Sequence, residues 1–304
     1  MAATQPKARI PKRAGMVDGR EMTILALDEN LAPGSRCAGT VAMVTRDKVA
    51  AQTAISWLMT DLTWLKPGEY HKRYIVQGNI LTFQRNQCIN DMEGDWILFI
   101  DSDMVWQPQA MKVLIETRDK FDLDIVSGLC FQRSDPYQPT LYKEAKRASI
   151  PGVDANWSGY TFMERWPENA AVEVDATGMA FCLVHKRVFD RILKHKLGEW
   201  VLDGFGTFEE RRSQVPAPFF RWEGEFGEDF LFCREAKEAG CKVFVDTAVK
   251  IGHVGDQIIT EETFLREIAF RDPAAEEFRS GILEGIGEKV MTRSEARERL
   301  GFKE

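Results

Sequence analysis

Short apolar runs alternate with stretches of helical period along most of this chain. Val41–Thr45 (VAMVT) has the look of a buried strand. Val49–Leu62 then repeats apolar residues at helical spacing through Ala54, Trp57, Leu58 and Leu62. Arg73–Val76 reads as a strand, and Leu81–Asp91 as a helix with Asn79 as its cap. Trp96–Ile100 (WILFI) is apolar throughout and reads as another buried strand. Pro108 stands where a helix can begin, and Gln109–Arg118 continues it. Asp124–Leu129, Val172–Asp175, Met179–Val184 and Lys242–Asp246 are further strands. Lys186–Leu193 and Glu228–Ala239 are further helices, the second closed by Gly240. Strand and helix in this rhythm predict an α/β fold, a mainly parallel sheet flanked by helices.

The pattern fails in four places. Residues 1–35 have no sustained period and carry Pro6, Pro11 and Pro33, so a tail is expected, with one short element around Met22–Leu27. Residues 131–171 are polar with scattered aromatics, an insertion-like stretch of the length that is often functional. Residues 203–218 form a charged loop rich in Gly and Pro, a candidate lid. From Thr260 the period is helical and the charge high. The expected division is therefore a tail over 1–35, an α/β domain over 36–258 and a helical extension over 259–304.

Composition narrows the class. The 304 residues carry a formal net charge of -7, which argues against a general nucleic-acid binder. A local basic group, Lys186, Arg187, Arg191, Lys194 and Lys196, has the exposed face of a helix as its ordinary reading. Six cysteines lie scattered with no C-x-x-C pair, as expected of buried thiols in a reducing compartment. No apolar run approaches the ~20 residues that cross a bilayer, and no apolar stretch follows the basic N-terminus. A cytoplasmic location is the expectation.

Three motifs carry candidate chemistry. In FIDSDMVW (99–106) an apolar strand runs into Asp101, Ser102 and Asp103. Ligands of parallel sheets bind beyond the carboxyl ends of strands. In extended chain, residues two apart point the same way, so both aspartates can face one cation. An oxygen-rich site suits magnesium or manganese. In FGEDFLFCREAKEAG (226–240), Glu228 and Asp229 fall in the first turn of a helix, where the dipole favours carboxylates. Asp229 is the better candidate for a base that takes a proton from a hydroxyl. In IGHVG (251–255), His253 follows a strand between two glycines and is a candidate metal ligand.

Together these residues resemble the GT-A glycosyltransferases, in particular family-2-like members. Asp101-Ser102-Asp103 is similar to their D-x-D motif, Glu228-Asp229 to their acidic pair, and IGHVG to their downstream His-x-Gly element. Arg85-Asn86 resembles the Arg-Asn pair that precedes D-x-D, and Gly178 the glycine of the acceptor-side strand. The match is in the family's order over roughly residues 40–256, and the 131–171 stretch departs from it. The resemblance implies a GT-A (Rossmann-like) sheet and transfer of a sugar from a UDP- or GDP-linked donor to an acceptor hydroxyl. It implies Mn2+ or Mg2+ held by Asp101, Asp103 and His253, with Asp229 as base beside Glu228. Thr45, Arg46, Asp47, Gln77, Arg85, Asp101 and Ser102 are the expected contacts to the donor nucleotide. Gly178 and Trp222 are the expected contacts to sugar or acceptor, core packing being an equal reading of Trp222. Inversion at the anomeric carbon is expected over retention.

Three rivals compete. A haloacid-dehalogenase-like phosphatase also ends a strand in D-x-D, but near the start of its domain. A nucleotidyltransferase needs a glycine-rich loop that VTRDKVA lacks. A non-catalytic nucleotide-sugar-binding module would not need every acidic candidate. The acceptor is open among glycan, lipid, protein and hydroxymethylated phage DNA, the basic residues lending slight support to a polyanion. Oligomeric state is not legible.

Overall fold

Alternate residues of one strand serve two different cores. Along Arg36–Thr45, Val41 and Met43 join one apolar cluster, Ala42 and Val44 the other. Along Trp96–Asp101, Trp96, Leu98 and Ile100 face one way, Ile97 and Phe99 the other. Strands buried on both faces need helices on both sides, which gives three layers.

The computed structural model describes residues 12–17, 20–26, 35–133, 137–145, 159–197, 219–223, 227–255 and 258–265. In chain order, β1 (Lys12–Val17) and β2 (Arg20–Ala26) form a hairpin, followed by β3 (Arg36–Thr45) and α1 (Ala51–Met59). Then come β4 (Glu69–Gln77), α2 (Leu81–Asn90), β5 (Trp96–Asp101), β6 (Met104–Val105), α3 (Ala110–Phe121) and β7 (Ile125–Leu129). β8 (Tyr142–Ala145) and β9 (Gly159–Phe162) pair with each other. β10 (Ala171–Val174), β11 (Phe181–His185), α4 (Lys186–Leu197) and α5 (Glu228–Glu238) follow. β12 (Val243–Lys250), β13 (Gly252–Val254) and β14 (Ile258–Ile259) end the series.

The main sheet has the order β1-β2-β4-β3-β5-β11-β7-β12-β10. β4, β3, β5, β7 and β12 run one way, while β2, β10 and β11 are antiparallel to their neighbours. This is the mainly parallel sheet that the alternation predicts, with antiparallel strands mixed in, and it agrees with the GT-A fold that the resemblance implies. Cys88 and Ile89 of α2, Val188 and Phe189 of α4 and Phe232 of α5 cover one face. Met111, Leu114 and Ile115 of α3 cover the other. The parallel strands end at one edge, where the small sheet β14-β13-β6 crowns them. No helix among the described residues is long and apolar enough to cross a membrane.

Several expectations change. The Val49–Leu62 helix is shorter, and its inward face is polar: Thr53 and Ser56 are buried, while Leu58 is 81% exposed. Hydrogen bonding explains Ser56, whose Oγ accepts the backbone N–H of buried Trp106 at 3.2 Å while Thr60 Oγ1, just past the helix, accepts its indole N–H at 3.0 Å. Asn79 is not the cap of α2; Ile80 takes that position, with no side-chain capping bond. Part of the 131–171 stretch is the β8–β9 hairpin. The 203–218 loop and most of the C-terminal extension lie outside the described residues.

Two glycines tie β3 to its surroundings. A Cβ on Gly39 would stand 2.1 Å from the ring of Trp96, which is itself 2% exposed and cannot retreat. Gly94 has φ +76°, with the Ala38 backbone 2.5 Å from where its Cβ would be. Gly39→Ala is expected to lower stability by about 1–3 kcal/mol, the usual cost of overpacking. An unchanged urea midpoint and slope would show that the Trp96 ring has room to give.

Candidate active site

β5 delivers Asp101 to the edge of the sheet, and the chain then turns at Ser102 and Asp103 before β6. The extended geometry expected for D-x-D therefore does not hold, and the aspartates part. The turn is pinned by its backbone: Ser102 O accepts the Ala50 N–H at 2.9 Å, and Asp103 O accepts the Val254 N–H at 2.8 Å. Pairing of β6 with β13 sets Met104 opposite His253. As a result Asp103 Oδ2 lies 3.3 Å from His253 Nε2 and 3.3 Å from Arg133 Nη1.

Asp101 turns the other way, to Arg85 of α2. That guanidinium is 1% exposed and meets three carboxylates: Glu228 at 2.7 Å, Asp101 at 3.2 Å, and Asp229. The Phe220 ring lies 5.7 Å from it. Arg85, expected to approach the nucleotide, stands instead beneath the acids. α5 supplies two of them from its first turn, beside its dipole. Three carboxylates share one guanidinium. Burial pushes the Asp229 carboxyl up to about 7, with Arg85 opposing and Glu228 and Asp101 adding to the rise. Burial raises Asp101 too, against the pull of Arg85. At Asp103 burial also favours the neutral form, but His253 and Arg133 outweigh it and hold the carboxyl below its ordinary value. Asp229 Oδ2 accepts the Met179 N–H at 3.2 Å, and a Cβ on Gly178 would lie 3.7 Å from that oxygen. Gly178 thus leaves one side of the candidate base open.

Asp103 and His253 are the two side chains here that could hold an ion. His253 Nδ1 is 2.9 Å from the Phe131 carbonyl, which can only accept, so Nδ1 carries a proton. Nε2 is then the ring atom that faces Asp103 Oδ2, donating to the carboxylate when it carries a proton and able to ligate a cation when it does not. Among the described residues no three His, Cys, Asp or Glu side chains converge on one ion position. Two protein ligands nevertheless suit Mg2+ or Mn2+ at a phosphate site, where substrate oxygens and water complete the shell. The donor set fits; Asp101, held by Arg85, is not oriented with the other two.

A cavity of about 1130 Å³ opens beside this pair, lined among others by Arg46, Asp47, Ser102, Asp103, Arg133 and Tyr137. Of the expected nucleotide contacts, Arg46, Asp47 and Ser102 line it, whereas Thr45 and Gln77 do not. Thr45 shapes the loop instead, its hydroxyl donating to Lys48 O and its carbonyl accepting from Gln84 Nε2 and the Gly78 N–H. Gln77, the last residue of β4, pairs with Thr45, the last residue of β3. Trp222 is 63% exposed, so core packing is not its role. Asn86, next to Arg85, clamps Phe220: its Nδ2 donates to the Phe220 carbonyl at 2.7 Å and its Oδ1 accepts the Phe220 N–H at 3.0 Å. Arg133 and Gln84 went unpredicted. Arg133 lies in the aperiodic stretch, where only its place just past β7 marks it.

The basic group of α4 is largely neutralised. Arg187 pairs with Asp122 and Asp124 at 2.6 Å each, Arg191 with Asp124 at 3.0 Å, and Lys196 with Glu235 at 2.6 Å.

Residues 63–192 match the family described as Glycosyl transferase family 2. This segment contains Arg85, Asp101, Asp103, Arg133 and Gly178, while Glu228, Asp229 and His253 lie beyond it. No curated protein matches the chain. Among solved structures, A197 from STIV is similar at 15% identity and a TM-score of 0.44, over 75% of this chain and 91% of that one. GalNAc-T7 with UDP, GalNAc and Mn2+ is similar at 12% identity and a TM-score of 0.44, over 75% of this chain and 45% of that one. Such distant likenesses carry nothing about substrate. Residues 63–192 are thus similar to glycosyl transferase family 2, and the mixed, mainly parallel sheet around them has the GT-A type of architecture.

Proposed function

We propose that the protein is a metal-dependent glycosyltransferase whose donor is a nucleoside-diphosphate sugar and whose base is Asp229. One observation carries the reading. A single strand end places Asp103 with His253 beside an open cavity, and Asp101 with the Arg85-held acid pair a turn away. Mn2+ or Mg2+ bound at Asp103 and His253 would offset the charge of the departing diphosphate. Arg46, Asp47 and Ser102 are the remaining candidates for donor contacts.

On the acceptor side, Asp229 Oδ takes the proton of the attacking hydroxyl. The acceptor oxygen bonds to the anomeric carbon as the bond from that carbon to the phosphate oxygen breaks. Proton and leaving group depart on different sides of the sugar, so inversion is the expected course. Glu228, more buried than Asp229 and held by Arg85, orients the guanidinium rather than meeting substrate. Exposed Trp222 lies near the start of α5 and suits stacking on a sugar face. The ion pairs that α4 makes with Asp122, Asp124 and Glu235 weaken the case for a polyanionic acceptor such as DNA bound at that helix.

The reading is tested with a panel of nucleotide-sugars and Mn2+, following donor hydrolysis and transfer. One donor should turn over, and Asp103→Ala should lose both turnover and Mn2+ binding. Full activity of that variant in chelator-treated buffer would remove the ion from the mechanism.

Because only the ionised form of Asp229 accepts a proton, kcat/KM should rise about tenfold per pH unit below 7 and level off above it. Asp229→Asn should be nearly inactive with no such limb. A wild-type profile flat between pH 5.5 and 8.5 would dismiss Asp229 as the base. NMR of the first-formed product should show the anomeric configuration reversed; an unchanged configuration means retention.

A further inference from the structure

We propose that Arg133 stands in for the metal ion at Asp103 when the site is empty and contributes its charge to the donor diphosphate once the ion is bound. The inference rests on the ion reading above and goes beyond it by assigning a second, movable cation.

Three observations carry it. The Arg133 Nη1 and His253 Nε2 atoms address the same oxygen, Asp103 Oδ2, each at 3.3 Å. A tight N–H to carboxylate contact is about 2.7–2.9 Å, so Arg133 holds its partner loosely. Its other bond, from Nη1 to the Val254 carbonyl at 3.1 Å, is to a neutral acceptor that any donor could replace. The side chain is 50% exposed and lines the cavity beside Arg46, so it has solvent-filled room to move. Arg85 is the contrast: a guanidinium at the same strand end, but 1% exposed and bound on three sides.

Electrostatics gives the direction of the exchange. A guanidinium and a divalent ion on one carboxylate oxygen repel each other, and the ion has the greater charge. Arg133 leaves Asp103 when the ion arrives, but the cavity then holds a diphosphate, the group whose oxygens a planar fork of donors fits best. One side chain thereby keeps Asp103 neutralised before the donor enters and adds a positive charge to the donor site afterwards.

The two roles predict opposite effects of one substitution. Arg133→Ala removes a competitor, so Mn2+ alone should bind about two- to fivefold more tightly, the scale of a half-exposed ion pair. UDP and GDP, each titrated by calorimetry with saturating Mn2+, should for the preferred nucleotide bind about tenfold more weakly, the scale of a charge-assisted hydrogen bond. Arg133→Lys, which keeps the charge without the fork, should leave Mn2+ affinity near wild type and restore part of the nucleotide affinity. Mn2+ alone is followed by electron paramagnetic resonance, with Asp103→Ala as reference. If Asp103→Ala abolishes Mn2+ binding while Arg133→Ala leaves both affinities unchanged or shifts them the same way, the exchange is refuted and the ion site stands. Mn2+ binding that survives Asp103→Ala refutes the ion site itself, and the exchange with it.

Discussion

A guanidinium taken out of water has to be surrounded by anions. Arg85 meets that demand with Asp101, Glu228 and Asp229, drawn from β5 and from the first turn of α5. Removing such an ion from water costs several kcal/mol, and only well-placed partners recover it. The contact joins residues 143 and 144 positions apart in the chain, so it fixes how α5 docks on α2 and β5. It also leaves more negative than positive charge in a buried place. Burial, with that surplus adding to it against the pull of Arg85, raises the Asp229 carboxyl to about 7, where a carboxylate can serve as a base.

The sheet turns this local requirement into a site. β3 and β5 run parallel in a register that sets Val44 beside Asp101. The loop after β3 and the turn after β5 therefore reach the same edge. β12 runs parallel to β7 at the other side of β11, and the chain leaving it folds back so that β13 pairs with β6. His253 arrives at Asp103 by backbone pairing, not by side-chain attraction. Neighbouring Asn86 extends the control exerted by α2, since its amide holds the Phe220 backbone and with it the approach to Trp222.

How much of this was legible in the sequence depended on the kind of interaction. The central strands were, because burial on both faces leaves continuous apolar runs such as WILFI. The order of the motifs was legible too, since parallel strands end on one edge and whatever follows them gathers there. The side-chain directions were not. The spacing of Asp101 and Asp103 implied a shared ion only if the chain stayed extended, and two backbone bonds to distant segments bend it. The inward face of α1 was obscured because buried Ser56, with Thr60 just past the helix, answers the N–H groups of Trp106, a pairing without a local signature. Arg85 looked like a nucleotide contact because nothing in α2 itself reveals the acids that bury it. Arg133 carried no signal beyond its position after β7.

The split of the strand end also suggests why two aspartates stand so close together there. Asp101 pairs with Arg85, and Asp103 with His253 and Arg133, while Asp101 still feels the charge of Asp103 and of His253. Ser102 is the only residue between them, and its carbonyl is tied to Ala50 at the start of α1, on the rim of the cavity. A shift of this turn would move the donor-side carboxylate and disturb the cluster that sets the basicity of Asp229. On the proposed roles, this short turn, tied at Ser102 and Asp103 by backbone bonds, sets the separation of donor and acceptor chemistry, which suits a reaction whose two reactants must meet at a fixed distance.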